Sequence, residues 1–128
     1  MRRDQQQKIA LLMGEESRYS AAAYEFVLHA VSYTTEQLPV SRHLCAMELL
    51  EGMRLFARRE YGAVSGEVLY SWGIHSAADV GRIVYLLIGV ELLSASEGDR
   101  EEDFHVDFDF SAQWGEPVST MPKAPIIC

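Results

Sequence analysis

Residues 77–93, Ala-Ala-Asp-Val-Gly-Arg-Ile-Val-Tyr-Leu-Leu-Ile-Gly-Val-Glu-Leu-Leu, are apolar on nearly every side of a helical projection. Val80, Ile83, Val84, Leu87 and Val90 hold the helical period, Tyr85, Leu86, Ile88 and Leu92 fill the other faces, and Arg82 and Glu91 are the main charged interruptions. Ser76 is placed to cap the first turn, with Asp79 in the reciprocal position three residues on. A helix with so little polar surface has to be covered by other elements. Its unbroken apolar run falls well short of the ~18–20 residues of a membrane span, so it is read as a core helix and no membrane association is expected.

The chain ahead of it supplies the cover. Asp4 can cap a short helix carrying Ile9, Leu12 and Met13, ended by Gly14. Ser20 precedes an amphipathic stretch in which Ala23, Phe26, Val27, Ala30, Val31, Thr34 and Leu38 recur at three- and four-residue steps, and Pro39 stops it. From Cys45 a further helix turns Ala46, Leu49, Leu50, Met53, Phe56, Ala57 and Tyr61 inward and leaves Glu48, Glu51, Arg54, Arg58 and Arg59 largely to solvent, with Gly62 as its C-cap. A shorter helix over 63–72 buries Val64, Val68, Leu69 and Trp72 and closes on Gly73-Ile74, where the residue after glycine packs back on the helix.

Beyond Leu93 the period changes. Over 103–110, Phe104, Val106, Phe108 and Phe110 alternate with Asp103, His105, Asp107 and Asp109, which is a strand period. Residues 93–95 are placed to pair with it across a turn at 96–99; an extended arm laid over the helices is the other arrangement. Residues 111–128 hold Pro117, Pro122 and Pro125 without periodicity and read as a flexible tail. The expected fold is therefore mainly α, with about five helices around a central apolar helix and a short C-terminal strand or hairpin. It forms one domain over 1–110 that includes an acidic arm at 97–110. The alternative is a winged-helix-like α+β arrangement with 77–93 as recognition helix and 94–110 as wing.

Charge narrows the function. Residues 1–60 carry eight Lys/Arg against eight Asp/Glu, and residues 61–128 carry three against eleven, so the whole net charge of −8 lies in the second half. Nucleic-acid affinity comes mostly from neutralising phosphates with Lys and Arg, so this half repels DNA, RNA and anionic lipid alike. A recognition helix offering Asp79 and Arg82 beside an acidic wing is poorly equipped to read bases. Two cysteines, Cys45 and Cys128, form neither a metal spacing nor a disulfide framework, and the apolar patch 9–13 is too short for a signal peptide; a reducing cytoplasm is the expected setting.

Several pieces of the chain, in order and spacing, resemble a small uncharacterised family of bacterial proteins known mainly from planctomycete and verrucomicrobial genomes. They are Arg18-Tyr19, Ala23-Tyr-Glu-Phe-Val27, Arg42-His43, Glu48-Leu-Leu-Glu-Gly52, Tyr61-Gly62, Ser71-Trp-Gly-Ile74, Ile83-Val84 and Arg100-Glu-Glu-Asp-Phe104. The resemblance covers roughly residues 18–110 and implies architecture without an established activity or catalytic residues. Two departures stand out. Cys45 replaces the Thr of a Thr-x-x-Glu capping box, a loss typically of about 1 kcal/mol. Glu91 replaces a small residue or Gly, which argues against a sharp turn before Leu92-Leu93.

No catalytic constellation can be assembled from His29, His43, His75 and Cys45, which are scattered and read as structural. The acidic run from Asp99 to Asp109 lacks the Gly and terminal Glu of a calcium loop and reads as a solvated face, so neither a metal nor a cofactor is expected. The favoured function is a non-enzymatic cytoplasmic interaction or regulatory module, self-associating or engaging a basic protein surface through Glu101, Glu102, Asp103 and Asp107, with Phe110 and Trp114 as aromatic anchors. The alternative is a small enzyme or ligand-binding protein with a pocket near Trp72, His75 and Tyr85.

Overall fold

The computed structural model describes residues 2–40, 42–95 and 100–110. Helix α1 spans Arg2–Glu15, α2 Ala21–Glu36, α3 Ala46–Tyr61, α4 Ser65–Ser71 and α5 Ala77–Gly89; 3-10 turns lie at Gly62–Val64 and Glu101–Phe104. The protein is thus mainly helical, and no strand occurs among the described residues. The tail expected at 111–128 and the turn at 96–99 lie outside them.

The boundaries follow from local chemistry. Ser76 precedes α5, and Asp79 Oδ2 accepts hydrogen bonds from the backbone N–H groups of His75 at 2.9 Å and Ser76 at 3.1 Å, consuming donors that the first turn would otherwise leave unpaired. Cys45 keeps the N-cap conformation at α3, and Glu48 Oε1 accepts its N–H at 3.0 Å, so the carboxylate half of that capping box survives without a hydroxyl. α4 closes as its Gly-Ile pair suggests. Gly73, at φ 102°, donates to Tyr70 O and Ile74 donates to Leu69 O, both at 3.0 Å, and Ile74 is buried. Of the stretch 63–72 only the second part is α-helical, and Val64, expected inward, is exposed on the 3-10 turn.

α5 buries Ala77, Val80, Gly81, Ile83, Val84 and Leu87, with Tyr85, Leu86 and Ile88 half-buried, as its apolar circumference requires. It stops at Gly89, four residues before the apolar run does. Glu91 takes the left-handed conformation at φ 64°, its N–H reaching Ile88 O and that of Leu92 reaching Leu87 O, both at 2.9 Å. The sharp turn is made despite the glutamate, because these two bonds satisfy the last carbonyls of α5 and return Leu92 and Leu93 to the core.

α2 and α3 meet at Gly52, where a Cβ would collide with the Thr34 side chain; Thr34 itself is buried and donates to Ala30 O at 2.7 Å. Arg54 and Arg58, expected on the solvent side of α3, are buried. For Arg54 the compensation is visible in its paired Nε and Nη2 donations to the Glu51 carboxylate one turn away.

The segment after residue 99 is where sequence periodicity misleads. Glu101–Phe104 is a 3-10 turn, and residues 105–110 form no ladder. Alternation does place Phe104 and Phe110 inside and Phe108 half-buried, yet Val106 is exposed. A strand needs a neighbouring strand for its backbone groups, and 105–110 has none among the described residues; the segment is held by the burial of Phe104 and Phe110. The hairpin and the winged-helix alternative both fall with it.

Candidate functional site

The arm at 100–110 is pinned at Phe104 and again at Phe110. Gly81 on α5 has no side chain, and the Phe104 ring root occupies the space a Cβ would need, 2.6 Å from where that atom would sit. The 3-10 turn is closed on itself: Arg100 N–H donates to Asp103 Oδ2 at 3.3 Å, Asp103 N–H to Arg100 O at 3.1 Å, and His105 N–H to Glu102 O at 2.9 Å. Glu102, Asp103 and Asp107 are exposed and Glu101 is half-buried. Of these four, only Asp103 has a basic group within 4 Å among the described residues, Arg100 Nη2 at 3.7 Å. The two proposed anchors fare differently. Phe110 is 7% exposed and packs on Phe108 with ring centroids 5.0 Å apart, so its ring belongs to the protein's own interior. Trp114 lies outside the described residues.

Beside this arm a cavity of about 120 Å³ opens between the C-terminal half of α2, the loop before α3, the end of α5 and the 3-10 turn. Leu49, Val84 and Phe104 are its buried floor, and Arg42, His43, Ser94, Arg100 and Asp103 its exposed mouth. Arg42 is already committed: it donates from Nη1 and Nη2 to the two oxygens of Glu48 at 2.9 and 2.8 Å, and also to His43 O at 3.0 Å. The side-chain bond to Arg42 holds the Glu48 carboxyl below the ordinary carboxylate range, overcoming the opposing effect of its partial burial, and the bond from Cys45 N–H adds to it. The pair leaves the mouth close to neutral, so a free anion has little to gain there.

The residues of the pocket expected near Trp72, His75 and Tyr85 are divided in the structure. Tyr85 lines the cavity just described, but neither Trp72 nor His75 does. Trp72 packs into a row of rings with Phe26 at 5.6 Å and Tyr61 at 5.7 Å, and His75 stacks on Tyr70 at 3.9 Å. Trp72 follows the end of α4, His75 stands in the turn before α5 and Tyr85 lies well inside α5, so the three do not share this cavity.

The histidines and Cys45 stand apart among the described residues. His29, His43, His75 and His105 are all exposed, and Cys45 is half-buried at the head of α3. Among the described residues no group of three or more His, Cys, Asp or Glu side chains is placed to hold a metal ion. A further dense polar cluster among the described residues is a clasp. Tyr19 Oη donates to Asp79 Oδ1 at 2.6 Å, Arg18 Nε donates to Glu16 Oε2 at 3.1 Å, and Arg82 Nε lies 3.8 Å from Glu16 Oε1. Burial foremost, and the Asp79 bond next, raise the Tyr19 phenol well above its usual value, which keeps it a hydrogen-bond donor rather than a base.

Comparison of the chain with protein-family models, with curated proteins and with solved structures found no match. The residues that sequence reading missed are Arg42, whose partner lies six positions on and across a loop, and the glycines that admit Thr34 and Phe104. Arg42-His43 stands immediately before the capped start of α3, and that adjacency was the available signal.

Proposed function

We propose that the protein is a non-enzymatic interaction module that presents Glu101, Glu102, Asp103 and Asp107 to a basic surface of another protein. The observation that carries this reading is the anchoring of the arm: Phe104 is buried against Gly81 while the carboxylates on either side of it face solvent with one loosely paired cation among them. Side chains held on a fixed turn lose less entropy on binding than the same charges on a free chain, and uncompensated carboxylates attract Lys and Arg at long range. Self-association is kept as part of the same proposal. The acidic half disfavours nucleic acid and anionic lipid, and no described helix is long and apolar enough to cross a membrane. The bacterial family resemblance remains part of this proposal and adds no activity to it. The compartment proposed is the cytoplasm. The redox state of Cys45 tests that part, since a disulfide persisting in protein alkylated at cell lysis would place the chain in an oxidising compartment.

The direct test measures fluorescence anisotropy of a labelled oligo-arginine peptide with the wild-type protein and with Glu102→Lys/Asp107→Lys, at low and at physiological salt. The reading expects binding that weakens at least tenfold in the variant and with added salt. Equal binding by the two proteins would remove the arm from the interface.

A further inference from the structure

We infer that the cavity beside the arm receives a single apolar side chain of the basic partner, so that the partner is recognised as a short segment in which a leucine- or phenylalanine-sized residue is flanked by Lys or Arg. This rests on the reading of the arm given above and adds the specificity element that an acidic surface alone lacks.

The cavity and the arm are one surface. Asp103 stands at the mouth and Phe104 in the floor, so the residue that pins the arm also walls the hole. The floor is apolar, with Leu49, Val84 and Phe104 buried beneath half-buried Val31, Leu44 and Ile88. Its volume of about 120 Å³ is close to that of an engineered apolar cavity of ~150 Å³ known to admit benzene, and far below the ~300 Å³ or more of a pocket for a drug-sized molecule. One ring or one branched side chain fills it.

Charge selects what is attached to that side chain. At the mouth Arg42 is neutralised by Glu48 and Arg100 is loosely paired with Asp103, so the local balance is near zero. Moving along the arm, Glu101, Glu102 and Asp107 add negative charge with no cation within 4 Å among the described residues. A free carboxylic acid of the right size would meet this field unfavourably. An apolar residue carried between basic neighbours would meet it favourably, the side chain in the hole and the cations over the arm.

The experiment titrates three labelled peptides in a Gly-Ser background: Arg-Arg-Leu-Arg-Arg, Arg-Arg-Ala-Arg-Arg and Ser-Ser-Leu-Ser-Ser. The proteins are the wild type, Ala46→Leu, Thr35→Leu and Glu102→Lys/Asp107→Lys. Ala46 and Thr35 line the cavity from helical positions that accept leucine, and circular dichroism checks that each variant folds. The wild type is expected to bind the Arg/Leu peptide about tenfold to a hundredfold tighter than the Arg/Ala peptide, the affinity equivalent of burying one such side chain. Either filling variant should erase that difference while retaining the weaker charge-driven binding. The charge variant should weaken both Arg peptides together. If Leu and Ala peptides bind the wild type alike while the charge variant still loses affinity, the side-chain inference falls and the acidic-arm reading stands. If the charge variant binds as the wild type does, both fall. Binding of the Ser/Leu peptide as tight as that of the Arg/Leu peptide overturns the coupling of hole and arm. Should both filling variants unfold, methyl resonances of Val84 and Ile88 in the wild type decide: they shift with the Leu peptide and not with the Ala peptide, or the inference is wrong.

Discussion

The hydroxyl of Tyr19, which is 1% exposed, donates to Asp79 Oδ1 at 2.6 Å across sixty residues of sequence. The bond joins the turn between α1 and α2 to the first turn of α5, and the other oxygen of the same carboxylate caps that turn. Asp79 therefore serves local and tertiary structure at once. Gly73 makes the approach possible, because a Cβ there would meet the carbonyl of Arg18, and Ser20 N–H donates to Trp72 O at 3.2 Å alongside.

Removing this hydroxyl has a pH signature. The folded state holds the Tyr19 phenol above its unfolded value, so its contribution is complete below about pH 10 and is lost as pH rises beyond that. Tyr19→Phe should cost about 1 kcal/mol at neutral pH and should flatten the fall in stability on the alkaline side. Chemical denaturation at pH 7 and at intervals above pH 9 measures both. An alkaline limb as steep in the variant as in the wild type would assign the loss to other groups.

Glu48 works in the opposite sense. Its folded pKa lies below the unfolded one, chiefly through the Arg42 bond, so its contribution is present above about pH 4.5 and disappears as pH falls through the lowered folded value. Glu48→Gln can still accept the Cys45 N–H but cannot pair as an ion with Arg42. Urea midpoints between pH 7 and pH 3 should therefore drop less steeply in the variant. The substitution also loosens the mouth of the cavity, where Arg42 loses its fixed partner.

How much of this was legible before any coordinates follows the range of the interaction. Caps were readable because cap and partner are three residues apart, as at Ser76 and Asp79, or adjacent, as at Gly73 and Ile74. The burial of α5 was readable because no face of it is polar. Close approaches were not. That Gly52 admits Thr34, or Gly81 admits Phe104, depends on where two helices or a helix and a turn cross, and nothing within a helical period encodes it. The alternation at 103–110 correctly sorted most inward from outward side chains but could not supply a neighbouring strand, and without one a period of two is only a pattern of burial. The burial of Phe110 was not readable for the same reason, since an apolar residue on an acidic segment looks alike in sequence whether it faces a partner or its own core. Proximity along the chain likewise suggested a pocket for Trp72, His75 and Tyr85, of which Tyr85 alone lines the cavity beside the arm.

Glu91 offers a gain rather than a loss. An L-residue with a side chain at φ 64° bears a cost of roughly 1–2 kcal/mol that glycine does not, offset in part by the 0.5–1 kcal/mol of extra entropy glycine surrenders on folding. Glu91→Gly should therefore raise stability by about 0.5–1 kcal/mol, whereas Glu91→Val, β-branched and averse to this conformation, should lower it. Thermal melts of the three proteins rank them. If the glycine variant melts below the wild type, the turn is not strained by the glutamate.

The arm's anchor can be tested without touching a charge. In most helices Gly→Ala is favourable by up to ~1 kcal/mol, and Gly81 lies within α5 with no positive φ to forbid alanine. Against that stands the 2.6 Å separation of the new methyl from Phe104 Cβ. Cβ is fixed to the backbone, so no rotamer change moves it away, and the whole turn from Glu101 to Phe104 has to shift. The overpacking cost, typically 1–3 kcal/mol, should exceed the propensity gain. Gly81→Ala is thus expected to lower global stability modestly while raising amide hydrogen exchange selectively at 101–106. The second substitution Phe104→Gly should restore no exchange protection in the arm, because it relieves the collision only by removing the anchor together with the Cβ that collides. If Gly81→Ala instead stabilises the protein with exchange in the arm unchanged, then Phe104 is not held against α5 as described, and the fixed display of Glu102, Asp103 and Asp107 loses its structural basis.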